Sequence, residues 1–310
     1  MEPSANKWVL VTGVKGFVGT KVAQKLIKNG YQVVGMMREG FKNDDSINTF
    51  CTNWATLSEL SDFFQNKQLF AVIHIATNYG IKGSLIDVLE SNVDLPLRLL
   101  ELCASLSCKI FLTTDTFFGK PEFDYSHMKA YIYSKKDFVH WASLFCEKYS
   151  LMRISNLRLE HVYGYGDKLN KFVPDMIQKL QRNQLVIPMS KGEQLRDFIH
   201  VDDVANAYLT LLFQGDHLPP GLTEYEVGTG ISTSIKDFVE LLHKSIGSQS
   251  IFNFGDLPYR HNEIMASKAI TDKLTQYGWT ASTSVFKGLS STLEHMKVLC
   301  CVENRNDNEK

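Results

Sequence analysis

Neither sign of charge dominates this chain: 33 lysines and arginines stand against 34 aspartates and glutamates, a formal net charge of −1. Without a basic excess there is no electrostatic case for nucleic acid or an anionic membrane surface as a partner. No apolar run approaches the ~18 residues of a membrane-crossing helix. No signal-peptide pattern precedes the first strand either, so a cytoplasmic location is expected. The 6 cysteines (Cys51, Cys103, Cys108, Cys146, Cys300 and Cys301) form no Cys-x-x-Cys pair and no His/Cys cluster at zinc spacing. Reduced thiols and no metal are the expectation. An internal repeat is also missing. With these classes set aside, 310 residues at 44% hydrophobic content suffice for one large α/β domain, or one and a half, with an ample core.

Residues 7–38 organise that domain. Trp8–Val11 is a short apolar run suited to a strand buried on both faces. It breaks at Gly13, and further glycines follow at Gly16 and Gly19. From Phe17 apolar side chains recur at helical spacing (Val18, Val22, Leu26, Ile27), and Asn29-Gly30 supplies a stop. A second apolar run covers Val33–Met37. Strand, glycine turn, helix and strand make the first unit of a dinucleotide-binding sheet. In it Gly13 permits the tight turn, Gly16 lets backbone approach a pyrophosphate, and Gly19 lets the helix pack close on the strand. The phosphates belong at the helix N-terminus, where free N–H groups favour anions. The Gly-x-x-Gly-x-x-Gly spacing resembles the extended short-chain dehydrogenase/reductase superfamily.

Strands and helices alternate through the first half. The pattern predicts a helix over Leu57–Asn66, a strand over Phe70–Ile75 and a long amphipathic helix over Leu85–Leu106, interrupted by Pro96. A strand over Lys109–Thr114, a helix over Tyr131–Tyr149 and a strand over Met152–Leu159 follow. Strands joined by helical crossovers imply a doubly wound parallel sheet of the Rossmann type. After Gly164 the loops lengthen. Helices are expected over Lys171–Arg182, Asp202–Phe213 and Ile235–Ile246, with strands at Leu185–Pro188 and from Tyr225. The expected division is a dinucleotide-binding domain over 1–165, a smaller substrate-binding lobe over 166–302 that returns some elements to the sheet, and a disordered tail over 303–310. Ligands of such sheets bind beyond the carboxyl ends of the strands.

Tyr131-Ile-Tyr-Ser-Lys135 puts a phenol and an ammonium on one helical face, an arrangement that favours the phenolate and suits a general acid. Tyr125-Ser-His-Met-Lys129 has the same spacing but lies in a polar stretch. Tyr131 is preferred because a long amphipathic helix continues from it. Thr113-Thr114-Asp115-Thr116 ends the preceding strand, where a hydroxyl can meet a substrate carbonyl or simply cap the strand.

Glycine turn, strand-end hydroxyl and Tyr/Lys helix stand in the order of a short-chain reductase. Val72–Ala76, Asn92, Arg196–Asp203 and Tyr277–Trp279 extend the likeness over nearly the whole chain, to the nucleotide-sugar-modifying members. Further stretches (Thr114–Phe118, Tyr125–Met128, Arg158–Gly164, Gly192–Phe198, Asn262–Met265) narrow it to nucleotide-sugar 4-ketoreductases. The resemblance implies a catalytic set of Thr114, Tyr131 and Lys135. It assigns the cofactor to Gly13, Lys15, Gly16, Phe17, Val18, Gly19, Arg38, Ala76 and Lys135. A nucleotide-diphosphate sugar falls to Thr77, Asp115, Thr116, His161, Lys171, Phe172, Arg196 and Arg260, the two arginines gripping the diphosphate.

Departures narrow the chemistry. Related 4,6-dehydratases carry glutamate where Thr116 stands, and epimerase-reductases carry cysteine. Threonine is a poor acid or base, so one hydride and one proton are all that is implied. His161 and Asp115 stay open as second proton carriers or as polar-core residues. The second strand ends Gly35-Met-Met-Arg38, with no acid before Glu39, so NADPH is expected, Arg38 and Lys15 meeting its 2′-phosphate. The alternative is that Glu39 reaches a ribose hydroxyl. The likeness also implies a homodimer through the helices at 85–106 and 131–149. Two rival functions stay open: a 4-epimerase retaining NAD, and a non-catalytic dinucleotide sensor.

Overall fold

Trp8-Val-Leu-Val-Thr12 has no polar side chain before its last residue, and it forms the buried strand β1 (Trp8–Thr12). The computed structural model describes residues 7–37, 58–81 and 83–306, with side chains as far as residue 296. Arg38, Glu39 and Leu57 lie outside the described residues. In chain order β1 is followed by α1 (Phe17–Lys28), β2 (Gln32–Met36), α2 (Ser58–Phe64) and β3 (Leu69–His74). Next come α3 (Leu85–Leu89), α4 (Leu95–Ser105), β4 (Ile110–Thr116), α5 (Lys129–Lys148) and β5 (Arg153–Leu159). The second half contributes β6 (His161–Tyr163), α6 (Phe172–Gln181), β7 (Val186–Met189), β8 (Leu195–Arg196), β9 (Phe198–His200) and α7 (Val201–Gln214). It closes with β10 (Gly221–Val227), β11 (Thr233–Ser234), α8 (Ile235–Ile246), β12 (Ile251–Phe254), α9 (Asp272–Thr275) and α10 (Val285–Asn306).

Six strands form one parallel sheet in the order β10-β5-β4-β3-β1-β2. The sheet is the doubly wound one the alternation predicts. Its order reverses at β1, so the carboxyl ends of β1 and β3 flank a switch point, where such folds bind ligands. The chain divides into two compact units. The first is built from described residues within Met1–Leu159, Val204–Val227 and Thr271–Trp279; the second takes Glu160–Asp203, Gly228–Ile270 and Thr280 onward. In the first, Leu10, Val72, Phe111 and Ile154 of the sheet meet Leu99 and Cys103 of α4 and Phe138 and Ala142 of α5. In the second, Phe198, Phe238, Leu242 and Leu289 form a separate core. No helix among the described residues is long and apolar enough to cross a membrane.

Two elements differ from the sequence pattern. The helix expected over Leu85–Leu106 does not simply break at Pro96: a wide, π-type turn over Glu90–Asp94 joins α3 to α4. Proline has no N–H to give the carbonyl four residues back and its ring crowds that group, so the helix widens one turn ahead of it. At the other end, α10 runs through residues 303–306, which composition alone assigns to a disordered tail. A helix already formed extends at one hydrogen bond per added residue, whatever the polarity of the addition.

Candidate active site

Gly13 has φ +67°, and a Cβ there would stand 2.9 Å from the Ala76 backbone. Only a residue without a side chain can therefore carry the turn from β1 past the end of β3. At Gly19 an added Cβ would lie 2.1 Å from the Gly13 carbonyl oxygen, so α1 rests directly on the turn. Gly16 caps α1 with no side-chain hydrogen bond, which leaves the first-turn N–H groups of the helix to be met by something else. This cradle and its bare helix end fit a dinucleotide pyrophosphate. Lys15 is half-buried inside the turn, Phe17 and Val18 open α1, and Arg38 lies outside the described residues.

Beside the cradle, Thr12 Oγ1 accepts the N–H groups of Ile75 and Ala76 at 3.2 and 3.1 Å, so its own proton goes to His74 Nδ1 at 2.9 Å. That holds His74 as a neutral imidazole protonated on Nε2. Burial, aided by the charge of Lys135, pushes its pKa well below the ordinary range.

Tyr131 and Lys135 lie on the same face of α5, both buried. The rival pair does not share this setting: Tyr125 is stacked on Phe118 in the loop before the helix, and Lys129 is exposed. Around Tyr131 stand Tyr79, with ring centroids 5.0 Å apart, and the hydroxyl of Thr116, which hydrogen-bonds the phenol. Burial, then Tyr79 and Asp115, lift the phenol well above its ordinary value, and Thr116 pulls the other way. The expected pull of lysine toward phenolate is thus outweighed, and Tyr131 is held as the neutral acid. Lys135 is itself drawn down from 10.5 to about 8 by burial, against the upward pull of Asp115.

Thr114 and Thr116 share one face of β4, yet they make different bonds. Thr114 Oγ1 gives its proton to the His74 carbonyl at 3.1 Å and therefore receives that of Tyr208 at 2.5 Å. Asp115, on the other face, is held at both oxygens: Oδ1 by the Thr116 N–H (2.7 Å), Oδ2 by Asn156 (3.2 Å) and Arg158 (3.3 Å).

Sequence reasoning gave no role to Asn92, in the wide turn before α4. It accepts from the Asn78 N–H (2.8 Å) and the Thr77 hydroxyl (3.1 Å). It also donates to the Asn78 carbonyl (2.8 Å) and to Ser134 (2.9 Å), which bonds the Tyr131 carbonyl. Its signal was Pro96, placed to force the turn that aims it. Tyr208 had no local signal at all.

In the second unit, Lys171 caps α6 and Phe172 begins it. Burial, with the charges of Arg196 and Lys171, depresses His161 to about 3, so two cations face a neutral imidazole. Arg196 is buried and bonds Glu263 at 2.6 Å and the Leu195 carbonyl at 2.9 Å. Arg260 is exposed.

The model of the NAD dependent epimerase/dehydratase family matches residues 9–228. CDP-abequose synthase of Salmonella typhimurium is 40% identical over 296 residues, 94% of this chain and 98% of that protein. Among solved structures, UDP-glucose 4-epimerase of Thermotoga maritima with UDP-glucose superposes with a TM-score of 0.81 at 22% identity, covering 94% of this chain and 99% of the other. The Thermus thermophilus UDP-glucose 4-epimerase complex with NAD gives 0.74 at 21% identity, with 94% and 99% coverage. With a match that runs from the first strand through the glycine cradle and the Tyr/Lys helix, this chain belongs to the NAD-dependent epimerase/dehydratase family, within the extended short-chain dehydrogenases/reductases.

Proposed function

We propose that this protein reduces the 4-keto group of a CDP- or dTDP-linked 4-keto-6-deoxyhexose with NADPH, in cytoplasmic deoxysugar synthesis for a surface polysaccharide such as the O-antigen of lipopolysaccharide. The observation that carries this reading is the 40% identity to CDP-abequose synthase along 94% of this chain and 98% of that one. The buried Tyr131/Lys135 pair supplies the chemistry such a reaction needs.

A nicotinamide dinucleotide, when bound, supplies the reducing equivalent to the keto carbon. The chain's own residues do the rest. The glycine cradle and the N-terminus of α1 take the pyrophosphate, between Phe17, Val18 and Ala76. Lys15 and Arg38 take the 2′-phosphate, and Lys135 holds the ribose. Tyr131 gives its phenolic proton to the oxygen that becomes an alkoxide, and its neutral state is the one this step requires. A strand-end hydroxyl orients the carbonyl. Thr116 is linked to the phenol, whereas the bonding capacity of Thr114 toward the protein is spent on His74 and Tyr208. His161, Lys171, Phe172, Arg196 and Arg260 receive the nucleotide and its diphosphate, a role that two cations beside a neutral imidazole suit. The active form is a homodimer through α3, α4 and α5.

The test is product identification by NMR after incubation of the protein and NADPH with CDP- and dTDP-linked 4-keto-6-deoxyglucose. Consumption of NADPH with one new 4-hydroxy sugar nucleotide is expected. Retained NAD with interconversion of 4-hydroxy epimers, or no turnover, would overturn the reading.

A further inference from the structure

Three neighbouring strands put a charged network on the sheet face that α5 covers. On β4 it contains Asp115, on β5 Asn156 and Arg158, and on β10 Glu224 and Glu226. The register sets Asp115 and Glu226 opposite Arg158, and Glu224 opposite Asn156. Arg158 divides its guanidinium, with Nε 3.3 Å from Asp115 and Nη2 2.8 Å from Glu224. Asn156 makes the same division, at 3.2 and 3.3 Å. Lys120 closes the edge on Glu226 at 2.9 Å. The Asp115 side chain is 6% exposed and that of Arg158 11%. Buried charges of this kind persist only when each is paired and hydrogen-bonded.

Asp115 has the protein's N–H groups on both oxygens, a poor state for a group that must carry protons. It nevertheless acts on both members of the Tyr131/Lys135 pair. We propose that Asp115 is a positioning residue rather than a proton carrier: its carboxylate is the fixed counter-charge of Lys135, and Arg158, shared with Glu224, sets how much of that charge Lys135 receives. The other groups around the pair are His74 on β3, Tyr79 in the loop beyond it and Tyr208 on α7. Burial keeps His74 and Tyr208 neutral at working pH, as it does Tyr131. Asp115 is therefore the nearby ionised group that varies the field at the lysine, and the clamp on β5 is the means of adjusting it. The inference rests on the reading of Tyr131 and Lys135 as the proton-delivering pair.

The experiment reads Lys135 directly, by trace acetylation of the purified protein with acetic anhydride across neutral to alkaline pH and mass spectrometry of the Lys135 peptide. Asp115→Asn should move the labelling midpoint below its starting value of about 8. Arg158→Met should move it above, because the carboxylate loses its nearest competitor, and Arg158→Lys should restore it. A shift of one unit is about a tenfold change in labelling rate on the acid side. The Arg158→Met shift should vanish in the Asp115→Asn background. Glu224→Gln, at a side chain 35% exposed, frees Arg158 for Asp115 without endangering the fold, and should lower the midpoint slightly. An unmoved midpoint in folded Asp115→Asn and Glu224→Gln proteins, or an Arg158→Met shift that survives without Asp115, overturns the proposal. So does a loss of kcat in Asp115→Asn with the Lys135 midpoint unchanged, the mark of a proton carrier. If the midpoints move as described while the kcat/KM profile does not follow, the counter-charge stands and the reductase chemistry falls.

Discussion

In the proposed reaction Tyr131 surrenders a proton, and burial beside Tyr79 and Asp115 keeps that proton on the phenol until a stronger base forms. Tyr131→Phe should leave the fold intact, since the ring stays, and lower kcat by about 10²–10⁴-fold. Steady-state kinetics beside Tyr125→Phe checks the choice of tyrosine: the second variant should stay near the parent. Lys135 brings a pH dependence. In the proposed role its charged form is the useful one, and its pKa of about 8 lies below the ordinary 10.5. Activity should therefore be full below that value and fall as pH rises through it. Because kcat/KM reports the free enzyme, its basic limb should fall near 8. The cofactor prediction is also local. The kcat/KM ratio of NADPH to NADH should favour NADPH and shrink in Lys15→Ala and in Arg38→Ala, as lost charge-assisted bonds to phosphate require. The helix that places Tyr131 and Lys135 together was legible in the sequence from its amphipathic pattern. Burial itself does not separate the two tyrosines, at 5% and 6% exposed, but Lys135 is buried where Lys129 is exposed. The different bonds of Thr114 and Thr116 were not legible. A strand repeats every second residue, so both hydroxyls share a face, and the residue that distinguishes them, Tyr208, arrives from 94 positions away.

The wide turn between α3 and α4 shows how an element can be foreseen and still be misdrawn. A proline in a helical pattern marks a disturbance, but sequence alone does not say whether the chain breaks, kinks or widens. Here it widens, and Asn92 is turned inward to bind the loop after β3 and the first turns of α5. Asn92→Ala strands two backbone groups at Asn78 and takes a donor from Ser134, whose own proton stays on the Tyr131 carbonyl. Each unmet buried partner costs about 1–3 kcal/mol, so a thermal melt should show a clear loss of stability. Activity should fall too, because Ser134 sits between Tyr131 and Lys135. In Asn92→Asp, which keeps the acceptor and loses the donor, the loss should be partial.

On the scale of the molecule, α3 to α5 present apolar side chains outward. Leu85, Ile86, Leu89, Trp141 and Leu144 are each between 45% and 68% exposed. Trp141 and Leu144 line a hollow with Leu97, Phe145, Arg98, Glu101 and Lys148. A patch of this kind is what the proposed homodimer would cover. Light scattering should give the mass of an isologous dimer at micromolar concentration, and Trp141→Glu should give that of a monomer with its melting temperature little changed. The parallel sheet was readable from the alternation of elements, and so were most of its strands. Its outermost strand was harder to assign, since no local pattern in Gly221–Val227 says that it will return to β5.

That return governs the order in which a ribosome can complete the protein. A nascent chain that has emerged only as far as residue 203 holds five of the six sheet strands and ends them in a bare edge along β5. Asn156 and Arg158 are then made before their partner Glu224 exists. Exposed edges of that sort invite pairing with other chains. The β5 edge stays bare until β10 (Gly221–Val227) has been made, so the whole stretch from residue 160 to residue 220 is added while the sheet lacks its outermost strand.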